Sequence, residues 1–143
     1  DEIVEIHGTN RWIECLRCGE RTEPGPWMEE FRRTRRAPRC ACGGFLKSAT
    51  ISFGQSMPEK ETQRAFAAAE RADAVLAVGS TLEVQPAALV PRAARRRGAP
   101  YVIVNRGPTA HDDVATVRLE GDCVELLPAL VDLVSTRGVL AGS

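Results

Sequence analysis

Residues 73–81 read Asp-Ala-Val-Leu-Ala-Val-Gly-Ser-Thr, five apolar residues in succession closed by a glycine and two hydroxyls. A short, unbroken apolar run fits a strand covered on both faces in a parallel sheet, where alternation is lost because neither face meets water. On its amino side, Ala65, Phe66, Ala69 and Ala72 recur at helical spacing behind Pro58, which predicts a helix over 58–72 with a small-residue face. On its carboxyl side, Pro86 and Gly98 bracket a second helix whose regular part Pro91 delays. Tyr101-Val102-Ile103-Val104-Asn105 is a second buried strand, and the alternation over 114–119 predicts a third. A last helix follows over 122–134, with Asp122 and Glu125 at capping-box spacing, Pro128 delaying its regular part, and a tail from 137 to 143 expected to fray. Short strands joined by crossover helices give parallel pairing and an open α/β sheet.

Such sheets bind ligands beyond the carboxyl ends of their strands. Three polar turns fall there: Gly79-Ser80-Thr81, Asn105-Arg106-Gly107 and Gly121-Asp122-Cys123. Each alone is an ordinary strand-to-helix turn. Three along one edge favour a nucleotide, because glycine admits close backbone approach and helix amino ends attract phosphate.

The first half has a different character. Residues 1–7 carry Ile3, Val4 and Ile6, which predicts a short strand broken by Gly8-Thr9-Asn10. His7 stands at its end, and a lone histidine there is ordinarily a hydrogen-bonded terminus. Residues 11–18 predict a strand running into Cys15-Leu16-Arg17-Cys18-Gly19, and the second pair is Cys40-Ala41-Cys42-Gly43-Gly44. Paired cysteines followed by glycine form tight knuckles. Cys15, Cys18, Cys40 and Cys42 together suit a closed tetrahedral zinc site of structural type, an Fe–S cluster fitting less well and two disulfides worse still. Between the pairs, Trp27, Met28 and Phe31 predict one face of a short helix, and Arg32, Arg33, Arg35, Arg36 and Arg39 form a basic run. That run reads first as a solvated face and second as a patch for an acidic partner, since no aromatics interleave it. Residues 45–53 predict a strand returning from the small module.

The 143 residues are 43% hydrophobic and 27% charged, with 19 basic against 19 acidic side chains. No global field therefore argues for nucleic acid or membrane binding, and the longest apolar run is too short to span a bilayer. Five cysteines, four of them in close pairs, fit a reducing compartment, so a cytoplasmic location is expected.

Taken in order, Glu5-Ile6-His7-Gly8-Thr9, the two cysteine pairs, Ser52-Phe53-Gly54-Gln55, Gly79-Ser80-Thr81-Leu82 with Val84 and Pro86, Val104-Asn105-Arg106 and Gly121-Asp122-Cys123 resemble the sirtuins, NAD-dependent protein lysine deacylases. The resemblance runs from Glu5 to about Val134 and implies the following roles. His7 is the catalytic general base, acting on a ribose hydroxyl after the acyl oxygen has displaced nicotinamide, to give free lysine and O-acyl-ADP-ribose. The four paired cysteines hold zinc away from the chemistry. Phe53 and Gly54 pair with the backbone of an acylated-lysine peptide. Gly79, Ser80 and Thr81 surround ribose and phosphates, Asn105, Arg106 and Gly107 take the adenosine end, and Cys123 lies beside adenine. The implied fold class is α/β, a partial Rossmann-like open parallel sheet over 1–10 and 49–143 with an inserted zinc-ribbon module over 11–48.

The sirtuin glycine-rich phosphate loop and Gln-Asn-x-Asp stretch do not occur in this sequence, and Gln55 stands where an acid is usual. The chain is thus expected to be a carboxyl-side portion with weak or no turnover alone. A non-catalytic zinc-ribbon module binding a nucleotide or partner, and a sirtuin-type ADP-ribosyltransferase, are the alternatives.

Overall fold

The parallel strand at 101–105 is where the chain buries most. In the computed structural model, which describes residues 2–140 and their side chains as far as 136, Tyr101 and Val104 are fully buried and Ile103 nearly so. The chain divides into two compact units, Asp1–Thr62 and Gln63–Ser143.

The first unit is an antiparallel sheet with one helix. Strands β1 (Gly8–Cys15), β2 (Arg21–Thr22) and β3 (Leu46–Thr50) lie in the order β2-β1-β3, and helix α1 (Pro24–Thr34) follows β2. Ile13 faces Thr22 on one side and Ser48 on the other. Ile13, Cys15, Cys40 and Leu46 form its core, with Trp27 packed against them. Only two of these four are large aliphatics. At about 1.5–3 kcal/mol for each such side chain fully buried, packing alone stabilises this sheet weakly.

The strand expected over 1–7 does not form among the described residues. Ile3 is exposed, residues 2–5 lie in no strand, and Glu5 O accepts Gly8 N–H at 3.0 Å to close a turn. An apolar pattern without a hydrogen-bonded neighbour does not make a strand. The expected break at 8–10 is instead the start of β1, which carries an irregularity between Gly8 and Ile13. Gly8 has φ +70°, and a Cβ there would lie 2.1 Å from the Ala49 carbonyl oxygen, so this position admits only glycine.

In the second unit, β4 (Val75–Val78), β5 (Tyr101–Asn105) and β6 (Val117–Glu120) pair in parallel in the order β4-β5-β6. Helix α2 (Glu59–Arg71) leads into β4, α3 (Leu89–Arg96) connects β4 to β5, and α4 (Cys123–Leu140) follows β6. Ala69, Ala93, Ala94 and Ala99 pack with Phe66, Ala72, Val75 and Val90, small side chains of α2 and α3 sharing one cluster. Leu82, Tyr101 and Ile103 form a second cluster with Val75, Ala77, Val114 and Ala115. The parallel α/β sheet is as expected, with three differences. β4 is an edge strand that turns Val75 and Ala77 inward and leaves Leu76 half exposed, so it is covered on one face rather than two. The third strand starts at Val117, because Val114 and Ala115 N–H both bond to the His111 carbonyl in a turn. The last helix runs on to Leu140 through part of the tail expected to fray, residues 141–143 of which lie outside the described residues. Among the described residues no helix is long and apolar enough to cross a membrane.

Candidate metal centre and nucleotide edge

Cys15 ends β1, and the next residues fold back on it. Gly19 N–H bonds to Cys15 O at 2.9 Å and Arg17 N–H reaches Cys15 Sγ at 3.4 Å. The second knuckle closes likewise, Gly43 N–H to Cys40 O at 2.8 Å and Cys40 N–H to Gly44 O at 2.9 Å. The four thiol sulfurs lie within 4.8 Å of one another, with Cys15 to Cys42 at 3.5 Å and Cys18 to Cys40 at 3.8 Å. A tetrahedron of sulfurs about 2.3 Å from zinc has edges of about 3.8 Å, so the residues fit the ion; a disulfide would need about 2.05 Å, and all five cysteines are free thiols. A Cβ on Gly44 would sit 2.6 Å from Cys15 Sγ, so the second knuckle can approach the first only with glycine there.

The electrostatics agree with the geometry. Backbone N–H groups of Cys18 and Arg17 hold the Cys15 thiol down at about 6, making it a thiolate at neutral pH. The Cys42 N–H pulls Cys40 the same way, but burial and the neighbouring Glu20, Cys42 and Cys18 push Cys40 up to about 12. One thiolate forms readily and the next is opposed by its neighbours, a conflict that a bound dication removes.

His7 lies in the turn before β1, its imidazole exposed and without a hydrogen-bond partner among the described residues. Its carbonyl accepts Ile51 N–H at 2.8 Å, which brings it beside the segment leading to Phe53 and Gly54. Those two residues occupy the centre of a turn closed by Gln55 N–H to Ser52 O at 3.0 Å. Gly54 has φ +84° and the Phe53 ring is 94% exposed. Gln55 Oε1 accepts Ser52 N–H at 2.8 Å, so its amide serves the turn itself.

In the second unit, parallel register sets the three polar turns side by side beyond Val78, Asn105 and Glu120. Gly79 has φ +60° and its N–H bonds to Val104 O at 2.9 Å, while Ser80 Oγ accepts Leu82 N–H at 3.1 Å. Asn105 is buried, and its Nδ2 donates to Gly107 O at 3.1 Å and Arg106 O at 3.3 Å, fixing the turn from within. Its carbonyl accepts Gly121 N–H at 3.2 Å, joining the second turn to the third. Cys123 opens α4 in an intermediate environment.

Sequence reasoning missed Arg118, Thr109 and Asp112, which hold this edge, and anticipated the cap at Asp122. Arg118 donates to Asp112 Oδ1 at 2.9 Å and to the Gly107 carbonyl, and Thr109 Oγ1 donates to Asp112 Oδ1 at 2.6 Å. Asp122 accepts Val124 N–H at 2.9 Å, capping α4, and pairs with Arg106. These bonds hold both carboxyls below their ordinary range, Asp112 chiefly through the Thr109 hydroxyl and Asp122 through the Val124 N–H. Buried His111 meets the Tyr101 hydroxyl at Nδ1, 3.0 Å away, and burial followed by the Arg92 charge lowers its pKa. The Thr109-x-x-Asp112 spacing was a readable turn signal; the Arg118 contacts had no local signature.

Residues 1–86 match the model of the Sir2 family. The chain belongs to that family. An NAD-dependent protein deacetylase of Rhodopseudomonas palustris is 43% identical over 131 residues, 91% of this chain and 52% of the relative. An NAD-dependent protein deacylase of Archaeoglobus fulgidus is 35% identical over 132 residues, again 91% and 52%. A Sir2 structure with a p53 peptide and NAD+ superposes with a TM-score of 0.86 at 28% identity, covering 95% of this chain and 57% of the other. One with a myristoylated histone peptide gives 0.83 at 34% identity, over 92% and 56%. This Sir2 chain spans about half the length of the curated relatives it matches.

Proposed function

We propose that this Sir2 chain serves NAD-dependent removal of acyl groups from protein lysines, supplying the general base, the metal module and the adenosine side of the cofactor site. The observation that carries the reading is Sir2 membership over a stretch in which the His7 backbone is bonded to the segment preceding Phe53 and Gly54. NAD, when bound, supplies an electrophilic ribose carbon and a nicotinamide leaving group. His7 accepts a proton at a ring nitrogen from a ribose hydroxyl; its imidazole, without a partner among the described residues, is free to do so. Phe53 and Gly54 orient the acylated-lysine peptide. Gly79, Ser80 and Thr81 receive ribose and phosphates, and Asn105, Arg106, Gly107 and Cys123 the adenosine end. Cys15, Cys18, Cys40 and Cys42 hold zinc, which shapes the module of 11–48 and takes no part in the reaction. Residues 1–10 and 49–143 form the Rossmann-like part, and the protein works in the cytoplasm.

The test joins this chain to the amino-terminal half of the Rhodopseudomonas relative and follows nicotinamide and free lysine from an acetylated peptide. Turnover should appear with the joined chain, be weak or absent with the 143 residues alone, and fall about 10²–10⁴-fold in His7→Ala with zinc retained. Undiminished turnover in His7→Ala would remove the base from the mechanism. Labelled ADP-ribose delivered to a protein acceptor, with no lysine freed, would identify a transferase instead.

A further inference from the structure

The first unit carries a groove that the deacylase reading does not use. It has a volume of about 230 Å³ and is walled by Trp27, Met28 and Phe31 of α1, Ala37 and Pro38 of the following loop, and Leu46 of β3. Met28 and Phe31 are two-fifths exposed, although a helix on a small sheet ordinarily turns such residues inward. The volume lies below the roughly 300–1,000 Å³ of clefts that enclose a whole small molecule, and suits one or two large apolar side chains.

The segment that joins two walls of the groove sets the chemistry of its occupant. Residues 32–36 connect one wall, at Phe31, to the other, at Ala37, and four of the five are arginines: Arg32, Arg33, Arg35 and Arg36. All four are exposed, and none is in an ion pair among the described residues. Arg39, by contrast, is spent within the module, stacked 3.9 Å over the Phe45 ring and bonded to Gly43 O at 2.9 Å. Arg32 and Arg33 lie in the last turn of α1, where the helix dipole welcomes a cation. Arg35 has no such reason. It sits just past the helix at φ 55°, a conformation that helix ends usually assign to glycine. Glu29 and Glu30 are the only acids of α1, against four arginines in residues 32–36.

We propose that this groove is a docking site for an acidic peptide segment of a partner protein. An apolar side chain of the segment would be anchored among Trp27, Met28, Phe31 and Leu46, and its carboxylates would meet the four unpaired arginines. The anchor supplies affinity in a desolvated pocket and the rim charges supply selectivity and speed of encounter. A peptide fits better than a nucleic acid because the floor of the groove is largely apolar, with no row of exposed rings for successive bases among the described residues. The proposal goes beyond the deacylase reading and does not depend on it, since it involves neither His7 nor the nucleotide edge.

The experiment measures fluorescence anisotropy of a labelled peptide with a Leu-Phe pair flanked by glutamates and aspartates, against the 143-residue chain loaded with zinc. Controls are the same peptide with every acid changed to its amide, and a single-stranded DNA oligonucleotide. The acidic peptide should bind about 10-fold tighter than its amide counterpart at low salt, with the advantage shrinking as salt rises. The double substitution Arg33→Glu with Arg36→Glu should remove that advantage. Phe31→Ala should weaken both peptides several-fold while zinc content stays unchanged. The arginines are exposed, so their reversal tests the site without disturbing the core. Equal binding of the two peptides, no binding of either, or acidic-peptide binding indifferent to all these substitutions would overturn the proposal. So would DNA binding lost in the arginine variant with no acidic-peptide binding, which would assign the surface to nucleic acid.

Discussion

The two units solve the same problem with different means. The parallel sheet is held by apolar packing: two clusters of Ala, Leu, Tyr and Ile around a central strand that is almost wholly buried. The antiparallel unit has one core cluster of four buried residues, and two of them are cysteines of the thiol cluster. Helix cover explains the difference. Helices α2 and α3 bury Ala65, Ala69, Ala93 and Ala94, whereas α1 buries no residue, so less apolar surface leaves water to offset the entropy of ordering the first unit's loops. A cluster of thiolates supplies, through the proposed zinc, what packing does not.

The sharpest way to break that comparison is to remove the metal. Cys15→Ser, or stripping by a strong chelator, should cost the first unit most of its stability, because structural zinc contributes apparent binding energies of about 10–16 kcal/mol in small modules. Amides of β1 and β3 should lose protection from hydrogen exchange while those of β5 keep it. Equal loss in both would show that the units do not differ as argued. Next in size is Ile103→Ala in the packed unit, expected to cost about 2–5 kcal/mol by chemical denaturation while leaving zinc stoichiometry unchanged. Smaller is Asp122→Ala, which removes the cap on α4 and the partner of Arg106, at about 1 kcal/mol by thermal melting.

The smallest effect expected is the pH dependence of the packed unit. His111 is held below its ordinary value of 6.5, so the unfolded chain binds a proton more readily than the folded one. Its contribution is present above about pH 6.5 and is lost as pH falls from there. Asp112 and Asp122 are held below 3.8, and their contribution is lost at lower pH, as each folded carboxyl takes up a proton. Melting of the second unit should decline in these two stages, and His111→Gln should erase the first.

The comparison also explains what could be read from the sequence. The parallel sheet was legible because continuous apolar runs mark strands at 74–78 and 101–104, although only the second is almost wholly buried. The cysteine quartet was legible because ligand type and spacing are local. Residues 1–7 misled because Ile3, Val4 and Ile6 have a strand's composition without a neighbour to bond. Gly8 looked like a break because glycine marks bulges and turns alike, and only the Ala49 carbonyl distinguishes them. The bonds of Arg118 to Asp112 and Gly107, and of Ile51 to His7, join residues that no short window compares.

That last bond has a mechanical meaning. From Gly8 to Cys15 is one continuous strand, about 26 Å long at about 3.3 Å per residue. β3 returns beside it from Leu46, next to the second knuckle, to Thr50, where Ile51 grips His7. The thiol cluster and the histidine are thus opposite ends of a single lever. Loosening the cluster should slacken the far end, so the Ile51 amide becomes a gauge of metal occupancy read beside the proposed base.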